Sequence, residues 1–121
     1  MMLYRSVGEY KDAKLRYLFR EGSTGQLILS KLDQTIKDAR REKDPSKLAS
    51  QINRCHELVS QLAEDINIAA AINEEMGAEI AVRILAAHNS LDPKNTSMAM
   101  KHLDSALMKV MAFKARTGVE I

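Results

Sequence analysis

At 121 residues, with 45% apolar and 28% charged residues, the chain is expected to fold as one globular domain rather than remain disordered. The formal charge of +2 is close to balance: the first 43 residues hold ten Lys/Arg against six Asp/Glu, and the mild asymmetry lacks the basic cluster with aromatics of a nucleic-acid reader. Cys55 stands alone, which excludes an internal disulfide, and the start Met-Met-Leu-Tyr-Arg-Ser lacks the apolar run of a secretory leader. No apolar stretch approaches the roughly 20 residues of a membrane span. A soluble, cytoplasmic protein is expected.

Residues 1–21 differ in character from the rest. They hold Tyr4, Tyr10 and Tyr17, with Leu15, Leu18 and Phe19. A short helix is expected over 9–20, bracketed by Gly8 and Gly22 as breakers. Composition leaves two roles open for this arm, a leader packed on the remainder and a mobile lid.

The first long helix is predicted over Thr24–Glu42. Ser23 caps the first turn, and Gln26, three residues on, reaches back to the Ser23 N–H in a capping box. Ile28, Leu32, Thr35/Ile36 and Ala39 then recur at spacings of three and four, the period of a helix with one buried face. Asp44 is a good N-cap and Pro45 a good first residue for a second helix. Leu48, Ile52, Cys55, Leu58/Val59, Leu62 and Ile66 carry its apolar face, and 69–72 extends it, for a rod of about 28 residues and roughly 42 Å.

Asn73-Glu-Glu-Met-Gly77 breaks the pattern, with Asn73 read as a cap and Glu74 and Glu75 matched to the positive end of a helix dipole. The third helix carries Ile80, Ile84 and Leu85 to about Leu91. Asp92-Pro93-Lys-Asn-Thr-Ser makes a turn, and the last helix begins between Pro93 and Met98. Ala99, Leu103, Ala106/Leu107, Val110 and Phe113 line its core face, and Gly118 stops it. Short connections make neighbouring helices antiparallel. The expected class is therefore all-α: an antiparallel four-helix bundle over 22–118, with an N-terminal arm or short helix over 1–21.

No catalytic constellation emerges. His56, His88 and His102 lie on different helices without local ligand spacing, and no Glu is followed three residues later by His, as a di-iron bundle needs. Cys55 and His56 point about 100° apart on a helix, so they form neither a zinc pair nor a nucleophile–base pair. Gly22-Ser-Thr-Gly25 lacks the spacing of a phosphate loop. Carboxylate pairs at 64/65 and 74/75 read as solvated or dipole-matching charge. The chain is expected to be neither an enzyme nor the holder of a metal or cofactor.

In order and separation, four segments resemble FliS-type flagellar export chaperones. Tyr10-Lys11 stands where that family has an Ala-Tyr segment in its arm. Residues 22–36, Gly-Ser-Thr-Gly-Gln-Leu-Ile-Leu-Ser-Lys-Leu-Asp-Gln-Thr-Ile, are similar to the start of its first long helix. Glu42-Lys43-Asp44 with Leu48, Ile52, Leu58 and Val59 resembles its charged turn and second helix. Glu75-Met-Gly77-Ala-Glu79-Ile80-Ala81 with Leu85 is similar to its Glu-x-Gly-Gly-Glu-Ile-Ala-x-x-Leu. Departures include Gly22 and Thr24 for Ala and Pro, Lys31-Leu32-Asp33-Gln34 for Leu-Tyr-Asp-Gly, Ala78 for the second Gly, Ala86-Ala87-His88-Asn89 where tyrosines are common, and the absence of a Trp near the end of the last helix.

The resemblance implies a non-enzymatic chaperone that binds the disordered C-terminal segment of flagellin, prevents premature polymerisation and aids export. Further partners it allows are the export apparatus and a second copy of the chain. Partner-binding candidates are Tyr10 in the arm and Leu27, Ile28, Leu29 and Leu32 at the start of the first long helix. The seven Met residues are either adaptable contact area or core filling. The rival expectation is a structural or adaptor bundle that self-associates and has no flagellin client.

Overall fold

A computed structural model describes residues 7–75 and 79–121. Among them the fold is all-helical, with six helices and no strand: α1 (Val7–Leu18), α2 (Thr24–Arg41), α3 (Pro45–Ala63), α4 (Ile66–Glu75), α5 (Glu79–Asn89) and α6 (Ser97–Thr117). No helix there is long and apolar enough to cross a membrane.

Local chemistry sets the ends of α2. Ser23 is extended, and its Oγ accepts a hydrogen bond from the Gln26 N–H at 3.2 Å. The return half of the expected box is shifted by one residue: Gln26 Oε1 accepts from the Gly22 N–H at 3.3 Å, while the Ser23 N–H donates to Arg20 O. Gly22 has φ +80°, a left-handed backbone that favours glycine and reverses the chain after α1. At the far end Glu42 Oε1 accepts from the Lys43 and Asp44 N–H groups. Asp44 then caps α3 through the Ser46 N–H at 2.9 Å, with Pro45 in the first turn where no donor is required.

Three expected boundaries are corrected. Gly8 does not break the arm helix: it lies in the first turn of α1, and the extra backbone freedom of a glycine costs a helix only about 1 kcal/mol relative to Ala. The rod expected over 45–72 is two helices. Asp65 Oδ1 accepts from the Asn67 and Ile68 N–H groups at 2.8 and 3.2 Å, so a new helix starts there, and Ile66, expected on the buried face, is 81% exposed. Asn73 is not a cap: with Glu74 it lies inside α4, and the remainder of the break expected at 73–77 falls partly outside the described residues. The last helix ends as expected, with Gly118 left-handed at φ +72° and its N–H on Lys114 O.

The helices assemble through their apolar stripes. α2 packs against α3 and α6, and α5 packs against the same two. Gln26 at the start of α2 donates to Glu120 O beyond α6, and Arg40 at its other end pairs with Asp104 early in α6, so these two run antiparallel. The enclosed core is largely aliphatic: Leu29, Leu32, Ile36, Leu48, Ile52, Cys55, Leu58, Ile84, Leu103 and Val110 are wholly buried. Asp33, the buried carboxylate on α2, is neutralised by Lys37 one turn on at 2.8 Å.

α1 sits at one end, against α4 and α6. Leu15 and Phe19 are buried there, and Phe19 meets Phe113 edge-on with ring centroids 5.3 Å apart. Gly25 permits that closeness. A Cβ at this position would come within 3.0 Å of Ile68 Cδ1 and 3.1 Å of Leu18 O.

Candidate functional site

The break at Glu64-Asp65 lets α3 and α4 border one apolar cleft. In an unbroken helix Val59 and Ile72 would stand about 20 Å apart. Here both line one largely apolar cleft, with Leu62, Ala63, Ala69, Ile80 and Ala81 around them, Asn73 as its one polar residue and Leu32 of α2 contributing to its wall. Three of the lining side chains are alanines, too short to fill the space between α3, α4 and α5.

The cleft holds about 100 Å³. That is smaller than the roughly 150 Å³ cavity that accepts benzene and far below the roughly 300–1,000 Å³ of small-molecule pockets. Its size and apolar walls suit one aliphatic side chain presented by something larger. A second, more open depression beside it is lined by Thr24, Ile28, Gln61, Glu64, Asp65 and Ile68.

The structure distributes the five candidate residues rather than gathering them. Leu32 is as fully buried as Leu29 and contributes only a covered part of the cleft wall, while half-buried Ile28 lines the second depression. Leu29 is wholly buried in the core, which leaves it no surface to offer a partner. Leu27 is 50% exposed, on the outward side of the first turns of α2. Tyr10 is 53% exposed on α1 and is engaged within the protein. Reading the stripe from Ile28 placed Leu29 one step too far outward. The buried series runs Leu29, Leu32, Ile36 and Ala39.

Of the cleft's remaining walls, Val59, Leu62, Ala69, Ile72 and Ile80 were read from sequence only as positions on apolar helix faces, and Ala63 and Ala81 were not read as such. Alanines at 63, 69 and 81 on an otherwise large apolar pattern, with a capping Asp between the first two, are the signal that marks them. Other exposed apolar side chains are Val82 and Leu85 on α5 and Met98, Met108 and Met111 on α6. Met100, by contrast, is partly buried against the core, so the described Met residues divide between exposed surface and core packing.

Titratable groups carry little unusual electrostatics. Cys55, wholly covered on α3, has its thiol pushed up to about 12 by burial, partly offset by a backbone hydrogen bond, and is therefore an inert neutral thiol at physiological pH. Glu74 is held below the usual carboxylate range by its hydrogen bond to Lys11 and the charge that Lys11 brings. No group of three or more His, Cys, Asp or Glu among the described residues could hold a metal ion. Comparison of the sequence with protein-family models and with curated proteins, and of the fold with solved structures, finds no match.

Proposed function

We propose that the chain is a FliS-like secretion chaperone, a four-helix bundle of α2, α3, α5 and α6 with α1 and α4 packed at one end, that binds the C-terminal segment of flagellin. The observation that carries this reading is the apolar cleft between α3, α4 and α5, which has room for a single side chain. Such a socket fits recognition of an amphipathic helix, in which one anchor residue seats and neighbouring turns spread over adjoining surface. Exposed Val82 and Leu85 lie on the α5 that borders it and extend the apolar area beyond the socket. Flagellin is proposed as the client on the resemblance of four sequence segments to FliS-type chaperones.

A disordered client must be ordered as it binds, at about 2–5 kcal/mol, so a footprint larger than the socket is required. Calorimetry with the flagellin C-terminal peptide from the same genome tests the reading. Saturable binding with a negative heat-capacity change and a gain of helix by circular dichroism is expected. Substituting Ala81→Glu, at the exposed wall of the cleft, should abolish it without loss of fold. A tight dimer that ignores the peptide would overturn the proposal in favour of a self-associating adaptor.

A further inference from the structure

Helix packing places on one cleft two side chains that the sequence keeps 32 positions apart. His56 on α3 and His88 in the last turn of α5 line one cleft of about 210 Å³, with Asn53, Ile84 and Leu85. Both histidines are exposed, and among the described residues neither imidazole is taken up by a hydrogen bond or ion pair. Asn53 and His56 are three apart on α3 and so share a face. His88 sits at the C-terminal end of α5, where the helix dipole favours positive charge.

We infer that His56 and His88 form a two-imidazole site for a late first-row divalent cation such as Zn²⁺, clamping α3 to α5. Neutral imidazole is the commonest side-chain ligand for these ions and suits Zn²⁺, Cu²⁺ and Ni²⁺. Asn53 offers a carbonyl oxygen in the same cleft, and water completes the coordination shell. With two protein nitrogens rather than three or four, the site is open and exchangeable, unlike a closed structural zinc site. Because its ligands come from two helices that pack against each other, the ion links them only in the folded state and stabilises that state by mass action.

The test uses the full chain, stripped with a chelator and titrated with zinc chloride by calorimetry, with melting curves in parallel. One Zn²⁺ per chain is expected, with a raised melting temperature. His56→Gln and His88→Gln should each weaken binding by more than about tenfold, the lower end of what losing even an outer-shell partner costs a metal site. His102→Gln, on α6, should bind as the parent does. The inference is overturned if no saturation occurs below millimolar zinc, if only one of the two substitutions matters, or if the double variant gives the parental isotherm. Both side chains are exposed, so circular dichroism should report parental folding in every variant. Flagellin-peptide binding is a separate measurement, so either proposal can fail alone.

Discussion

The seam where α2, α3, α5 and α6 meet and the end where α1 and α4 pack are built differently. The first is lined by aliphatic side chains with no exposed surface at all, from Leu29 on α2 to Val110 on α6. The second closes on two short helices. Ile68, Ala71 and Ile72 retain a little exposure, and its outer ties are surface ion pairs, Lys11 with Glu74 and Arg116 with Asp12 at 3.0 Å. Apolar burial stabilises by about 25 cal/mol per Å², whereas exposed ion pairs contribute about 0–1 kcal/mol and weaken with salt. The difference teaches where resistance to opening should lie: the seam is expected to set global stability and the α1–α4 end to open below it.

The strongest challenge to that contrast is a cavity in the seam. Leu58→Ala should lower the unfolding free energy by about 2–5 kcal/mol, read from a shifted denaturant midpoint with one cooperative transition. A smaller loss, of about 2 kcal/mol, is expected from Phe19→Ala, below the 3–5 typical of a fully enclosed Phe because α1 can detach locally. Hydrogen exchange should then show α1 amides losing protection while those of α3 and α6 keep theirs. Equal loss in all helices would erase the distinction between the two regions.

Asp65→Ala removes the cap that starts α4 and should cost about 1 kcal/mol. It also tests the cleft, since α3 and α4 would be freer to merge. Weaker peptide binding with more helix by circular dichroism is the expected pair of results.

The smallest effect belongs to Glu74. Its folded-state pKa is lowered, so its contribution is present above the unfolded value and lost as pH falls through the folded one. α1 should therefore exchange faster in acid, an effect that Glu74→Gln removes and salt diminishes.

Much of the helical outline was legible because its punctuation is local. Ser23, Asp44-Pro45 and Gly118 each act on backbone groups within a few residues, and each marks a helix end to within one position. The division at Asp65 was hidden by the residues around it. Spacings of four through Leu58, Leu62 and Ile66 continue the apolar stripe, yet the buried series changes phase to Ile68, Ala71 and Ile72. Periodicity alone gave no reason to prefer the carboxylate's hydrogen bonds over one more helical turn. The cleft was illegible for a related reason: it joins residues from four helices, and nothing in the order of α3 and α5 states which turns face each other. The sharing of one cleft by His56 and His88 is of the same kind.

Cys55 gives the molecule a built-in chronometer. As the sole sulfhydryl, sealed in the middle of α3 and protonated, it should resist Ellman's reagent for as long as the surrounding helices stay together. In purified protein, colour development would then report how often the interior is laid bare.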